Sequence, residues 1–300
     1  MRIGLMVGTD GTLDDVAGRV RAAADDGFAG AWVAQIFGWD ALTALAVIGR
    51  EVPGIELGTA VVPTYPRHPM MLAAQALTTS AATSGRLALG IGLSHQIVIE
   101  GMFGYSYEKP ARHMREYLSV LLPLLRGEQV AFEGETLKTT TMAPLETAGA
   151  PTPQVLLAAL APVMLHLAGA VADGTVTWMT GPATVADHIV PSITKAAEGA
   201  GRSSPRVGVG LPVCVTADPD AARTQAATTF AVYGQLPSYR AMLDREGAGG
   251  PADVAVVGDE DAVAAAVRGI ADTGATDFVA APYGSRDELV RTFDVLRAAT

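Results

Sequence analysis

The residues that could do chemistry are few and far apart. Histidines stand at 68, 95, 113, 166 and 188, no two within ten positions of each other. A hydrolytic metal centre draws on closely grouped His, Asp and Glu ligands, so this spacing predicts no metal site. The lysines, 109, 138 and 195, do not fall at the ends of predicted strands, where a Schiff-base lysine would act. Gly92-Leu93-Ser94-His95-Gln96 lacks the second glycine of a nucleophile elbow. There is no GxxxxGK phosphate loop. A chain this poor in strong catalytic groups is expected to borrow its reactivity from a bound cofactor.

The elements that must position these residues read as repeated βα units. Leu57–Val62 is a short apolar run suited to a strand buried on both faces. Pro66 and Pro69 open a helix that Gly85 ends, and Leu87–Ile91 is a second buried strand. Polar residues gather where these strands stop: Thr64 and Arg67 after the first, Ser94 and His95 after the second. In parallel sheets and barrels that edge binds ligands. A weak repeat, Ala24-Asp25-Asp26-Gly27, Val171-Ala172-Asp173-Gly174 and Ala271-Asp272-Thr273-Gly274, marks three helix ends before strands. Each offers a glycine for the left-handed position after a helix. The pattern predicts further strands at Arg2–Val7, Ala31–Gln35, Gln154–Ala159, Thr175–Met179, Arg206–Val215 and Asp277–Ala280. Helices are expected at Leu13–Asp26, Trp39–Arg50, Ala111–Arg126, Pro162–Ala172, Pro182–Gly199, Glu260–Asp272 and Arg286–Ala298. Eight strands with intervening helices predict an α/β fold, a TIM (β/α)8 barrel over residues 1–300. Insertions are expected near 93–109, 127–153 (with a hairpin around Glu133-Gly134) and 218–252. An open doubly wound sheet is the alternative, disfavoured by the missing dinucleotide fingerprint.

The formal net charge is −10 with no Lys/Arg run, which argues against nucleic acid or an anionic membrane surface as partner. The single cysteine, Cys214, allows no internal disulfide. Acidic residues arrive too early for a signal-peptide core, and no apolar run reaches the length of a membrane span. A cytoplasmic location is the expectation.

Five segments in order carry a resemblance: WVAQ (32–35), GTAVVPTYPRHP (58–69), GRLALGIGLSH (85–95), AALAPVMLHLAGAVADG (158–174) and TWMTGP (177–182). Together they resemble the luciferase-like monooxygenase family, and within it the branch of oxidoreductases that use the deazaflavin coenzyme F420. The resemblance implies a flat redox ring in the barrel mouth, backed by a bulged strand with a non-prolyl cis peptide at Ala60–Val61. It implies a phosphate site at Ala159-Leu160-Ala161 before the helix that starts at Pro162, where N–H groups and a helix N-terminus converge. Ser94, Thr177, Trp178, Met179 and Thr180 are further cofactor-site candidates.

For catalysis the resemblance points to His95, where an imidazole could donate a proton as hydride reaches the substrate. Gln35 is the second candidate, as an orienting group. Alcohol-oxidising relatives carry a histidine base at the next position, here Ile36. Reduction of an activated C=C, C=N or C=O is therefore expected over alcohol oxidation. The alternatives are an FMN-dependent monooxygenase of the same family and a barrel that binds its cofactor without turnover. His166 and His188 read as structural, His68 with Arg67 is expected either to touch the cofactor tail or to cap its helix, and His113 is expected on a solvated helix face beside an Arg112–Glu116 pair. Tyr105, Tyr107 and Tyr283 are candidate pocket walls. The small-molecule substrate is expected to be the main partner. The apolar helix face of Trp39, Leu42, Leu45 and Ile48 suggests either packing on the barrel or a homodimer.

Overall fold

The computed structural model describes all residues, Met1–Thr300. In chain order the elements are β1 (Arg2–Met6), α1 (Leu13–Asp25), β2 (Gly30–Val33), α2 (Ala41–Glu51), β3 (Glu56–Thr59), β4 (Val62–Pro63), α3 (Pro69–Ala82), β5 (Leu87–Gly92), α4 (Gln96–Gly101) and α5 (Pro110–Leu125). Then come the hairpin β6 (Ala131–Glu133) and β7 (Lys138–Thr140), β8 (Gln154–Leu157), α6 (Pro162–Val171), β9 (Gly174–Trp178), α7 (Pro182–Thr184), a π-helical turn (Val185–Ile189) and α8 (Val190–Gly199). The last part holds β10 (Arg206–Val215), α9 (Pro219–Thr229), α10 (Pro237–Glu246), β11 (Val256–Gly258), α11 (Glu260–Asp272), β12 (Asp277–Pro282) and α12 (Arg286–Ala298).

Parallel pairing runs β12-β1-β2-β3-β5-β8-β9, and β10 closes the ring by bonding both β9 and β12. This is the (β/α)8 barrel that the sequence predicts. β11 adds to the upper half of β10, at Val213–Val215, and stands outside the ring. The helices start where local chemistry says they should. Thr12, Asp40, Asp218, Asp259 and Ser285 accept N–H bonds from the first turns of α1, α2, α9, α11 and α12. Gly27 and Gly274 take positive φ at their helix ends, as the repeat predicts. Gly174 does not. A Cβ there would lie 2.0 Å from the Arg206 carbonyl oxygen, so that glycine is required by the close approach of β10.

One sequence expectation is corrected here, and one open choice is decided. The helix predicted over Pro182–Gly199 is not uniform, because Pro191 offers no N–H to Asp187 and crowds its carbonyl. The turn before it widens, with the Val190 N–H bonded to the Val185 carbonyl. The face of Leu42, Leu45 and Ile48 is 0–1% exposed and belongs to the main core. It packs on the barrel, and only Trp39 of that set remains exposed.

Strand alternation sorts the side chains into an outer core against the helices and an inner barrel core. The inner core is small: Trp32, Ala88, Leu156, Val176 and Val279. Below it, at the N-terminal ends of the strands, Arg206 binds Asp277 through two hydrogen bonds (2.9 and 2.6 Å) and Glu56 through two more (2.5 and 3.1 Å). Gln154 accepts another at 3.1 Å, and the Arg206 guanidinium lies 5.3 Å from the Trp32 ring centre. The barrel is thus closed at its base by a charged network and filled in its middle by one indole.

Candidate active site

At the C-terminal mouth the next inward positions of the strands are Met6, Ala34, Ala60, Ala158, Trp178 and Ala281, and each keeps partial solvent exposure. The layer beneath is sealed, at 0–5% exposure. Most of these side chains are methyl-sized, so the mouth is an uncharged cup with a shallow floor. A barrel filled to the top would need branched residues at these positions.

The floor is shaped by a bulge. β3 pairs with β5 through Gly58↔Ala88, and β4 resumes at Val62↔Ile91. Three residues, Thr59–Val61, therefore oppose two, Leu89 and Gly90, and the extra residue is accommodated as a β-bulge. The Ala60–Val61 peptide is cis, as the resemblance implies. The Thr59 hydroxyl replaces the interrupted ladder, donating to the Gly90 carbonyl (2.7 Å) and accepting from the Gly90 N–H (2.9 Å). Gly90 has to be glycine, since a Cβ would lie 1.9 Å from the Thr59 carbonyl oxygen.

His95 sits at the rim, half-buried, as the residue before α4, with its ring centre 5.6 Å from that of Tyr239. Burial alone pushes its imidazole pKa below the usual histidine value. Ser94, just before it, takes φ 60°, and its carbonyl accepts the Tyr107 hydroxyl at 3.2 Å. The long loop is thereby pinned to the rim. Trp178 stands across the mouth in edge-to-face contact with Phe230 and Tyr233, and Tyr233 meets Tyr239 in the same way. The insertion after β10 thus supplies an aromatic wall. The Trp178 Nε1 is buried without a hydrogen-bond partner.

The other predicted site residues divide. In the β8–α6 loop the N–H groups of Leu160, Ala161 and Val163 donate to no protein acceptor, and α6 begins without a side-chain cap. Ala161 and Val163 are exposed. Such a set of free N–H groups at a helix N-terminus can hold an anion. The structure places Ala159 beneath this loop, 1% exposed. Thr177 and Met179 alternate outward toward the helices, and Met179 takes φ 53°. Thr180 is fully buried. The Thr177 and Thr180 hydroxyls already face main-chain carbonyls, Gly208 at 3.4 Å and Trp178 at 3.3 Å, so neither is turned into the cup. The Gln35 Oε1 accepts the Ala41 N–H (2.7 Å) and thereby caps α2. Arg67, paired with Asp40 at 2.5 Å, also reaches that oxygen at 3.4 Å. Only the amide nitrogen of Gln35 remains free to act at the mouth.

Beside the cup lies a polar cleft of about 640 Å³, lined by Thr64, Tyr65, Arg67, His68, Lys109 and His113 among others. His113 is not on a solvated face, because its ring stacks on Tyr65 (4.0 Å, 7°) and its Nε2 lies 3.1 Å from the Thr64 hydroxyl. The expected Arg112–Glu116 pair is also replaced. Arg112 and Lys109 bind Glu135, while buried Glu116 accepts N–H bonds from Glu135, Thr136 and Leu137 and a hydroxyl from Thr136. That carboxylate is what fastens the hairpin to α5. Of the tyrosines named as pocket walls, Tyr283 donates its hydroxyl to the Ala222 carbonyl (3.1 Å) and anchors α9. Tyr105 is exposed.

Apart from Ala60, sequence reasoning missed the small inward residues of the cup, and it missed the aromatic wall. The first had a signal: glycine and alanine recur with a period of two along Ala88-x-Gly90-x-Gly92 and Gly208-x-Gly210. The second had none, since Phe230, Tyr233 and Tyr239 lie in an irregular insertion.

The family model for luciferase-like monooxygenases matches residues 1–296, and the chain belongs to that family. An uncharacterised protein of Mycobacterium tuberculosis is 30% identical over 257 residues, covering 80% of this chain and 75% of that protein. The 5,10-methylenetetrahydromethanopterin reductase of Methanopyrus kandleri is 28% identical over 253 residues, 77% of this chain and 71% of that protein. The solved coenzyme F420-dependent tetrahydromethanopterin reductase from that organism superimposes with a TM-score of 0.82 at 22% identity, covering 99% of this chain and 97% of the other. A type II Baeyer-Villiger monooxygenase of Pseudomonas putida in complex with FMN gives 0.77 at 16% identity, covering 99% and 96%. No helix is long and apolar enough to cross a membrane.

Proposed function

We propose that this chain is an F420-dependent oxidoreductase that reduces a small organic substrate at an activated C=C, C=N or C=O bond. The observation that carries the reading is the open, uncharged cup of methyl-sized side chains beside a loop of free N–H groups. These residues fit a planar ring with a phosphate-bearing side chain. When bound, the deazaflavin would supply the hydride. Ala60 and Val61 would back the ring. Trp178, with its unpartnered Nε1, would stand at the edge of the ring. Leu160, Ala161 and Val163 would hold the phosphate by their N–H groups.

His95 would hold the substrate's acceptor atom. Burial pushes its pKa down and favours the neutral imidazole, whose ring N–H would donate a hydrogen bond to that atom while solvent supplies the proton. The free amide nitrogen of Gln35 would orient substrate or ring, and Ile36, next to it, supplies no base for alcohol oxidation. The walls contributed by α10 and the long loop would exclude water.

The second reading is an FMN-dependent monooxygenase, favoured by the shared fold with the FMN-bound enzyme and by a phosphate loop that suits either coenzyme. Fluorescence quenching with reduced F420 and with FMN separates the two. F420 is expected to bind at low micromolar or better. At a hundredfold excess over Kd it should add about 2.7 kcal/mol to the unfolding free energy. His95→Ala should lower turnover at least tenfold while leaving F420 affinity within twofold. Tight FMN binding without F420 binding would move the assignment to the second reading.

A further inference from the structure

His188 lies outside the cup, yet it grips the loop that faces it. It sits in the π-helical turn Val185–Ile189, is 7% exposed, and its Nε2 is 2.8 Å from the Leu160 carbonyl oxygen. A carbonyl only accepts, so the proton must be on Nε2. The Leu160 carbonyl and the Ala161 N–H belong to one planar trans peptide and point in opposite directions. Holding the carbonyl toward His188 therefore aims the Ala161 N–H the other way, out of the protein at the exposed start of α6. The two partners ride on one unit. Gly169 lets α6 approach α8 so closely that a Cβ there would lie 2.3 Å from the Ile193 carbonyl oxygen.

Thr12, Asp40, Asp218, Asp259 and Ser285 fix their helix starts by side-chain caps, whereas α4, α5, α8 and α10, like α6, have none. A cap occupies the N–H groups it bonds. At α6 there is no cap, and the loop is held through its carbonyl instead, which leaves the donors open. The widened turn that presents His188 lies directly before Pro191, which lacks the N–H that a regular α-helix would bond to the Asp187 carbonyl.

We infer that His188 is a positioning residue for an anion at the α6 N-terminus: it orients the Leu160–Ala161 peptide so that the loop accepts the coenzyme's phosphate. The inference rests on the coenzyme reading above. It is tested by the ratio of two affinities, F420 against its phosphate-free chromophore FO, measured by fluorescence quenching on wild type, His188→Ala and His188→Gln. Wild type should bind F420 more tightly than FO. His188→Ala should weaken F420 at least tenfold and FO less than twofold. His188→Gln, which keeps an N–H at similar reach, should recover most of the loss. Because both ligands see the same fraction of folded protein, partial unfolding cancels in the ratio.

Equal losses for F420 and FO, or no loss for either, would overturn the positioning role while leaving the coenzyme reading intact. Equal binding of F420 and FO by wild type would remove the phosphate site itself, and this inference with it. Should neither variant fold, titration of wild type with inorganic phosphate decides. Amide resonances of Leu160, Ala161 and Val163 and the His188 Nε2–H should shift together, and a response that leaves them fixed contradicts the proposal.

Discussion

His113 shows what a change of surroundings does to one side chain. By its place on α5 it reads as solvent-facing, but the Tyr65 ring covers it, and burial lowers its pKa to about 4 against a weaker opposing pull from Glu116. Tyr65, on the other side of the stack, is pushed up to about 12 by the same burial. The folded pKa of His113 lies below its unfolded value near 6.5. Between pH 6.5 and 4 the unfolded chain therefore binds a proton that the folded chain does not, and stability falls as pH falls through that window. His113 is only partly shielded from water, so the expected loss is about 1–2 kcal/mol. His113→Phe keeps a ring on Tyr65 and removes the titration. Urea unfolding at pH 7 and pH 4 should show the variant losing less stability than wild type by that amount. Parallel pH profiles for the two proteins would contradict the assignment.

The bulged strand is the element on which the cup depends. Its main constraint comes from the neighbouring strand, because the Thr59 carbonyl lies where a Gly90 side chain would be. Gly90→Ala should therefore cost about 1–3 kcal/mol of stability, the range for forcing atoms into a packed interior. It should also weaken coenzyme binding, since the displaced backbone is the floor of the cup. The control is Gly18→Ala in the middle of α1, where a Cβ meets nothing within 4 Å. That change should be stabilising by about 0.5–1 kcal/mol through reduced chain entropy. Paired thermal melts would show Tm moving in opposite directions. A neutral Gly90→Ala would mean that the bulge tolerates a methyl group.

At the scale of the whole molecule, the barrel separates a charged base from a neutral mouth. Arg206 of β10 joins Glu56 of β3, Gln154 of β8 and Asp277 of β12, with Arg2 of β1 reaching Glu56 and Asp277 from the rim. The side chains of Arg206 and Asp277 are 9% and 6% exposed. Removing the cation strands carboxylates out of water, so Arg206→Met should destabilise by about 3–5 kcal/mol in urea unfolding. Coenzyme affinity at the opposite end should stay within about twofold where the variant is still folded. A loss below about 1 kcal/mol would show that water reaches the base of the barrel.

Local signals carried most of the architecture. β10, α11 and α12 begin and end where the sequence predicts, because apolar period, Asp259 and Ser285 caps and flanking glycines act within a few residues. The family segments added the bulge at Ala60–Val61 and the loop at Ala159–Ala161, and they named His95. What the chain order does not reveal is which side chains meet once the barrel closes. Glu116 was expected to pair one turn back, yet it found the N–H groups of a hairpin some twenty residues on. Gln35 turned its oxygen to a helix start, and His188 reached the Leu160 carbonyl across 28 positions. Helix and strand signals are short-range and survive in a linear reading. The contacts that aim a loop or empty a cup depend on the closed ring of eight strands, which brings distant residues together, and so only the tertiary structure decided them.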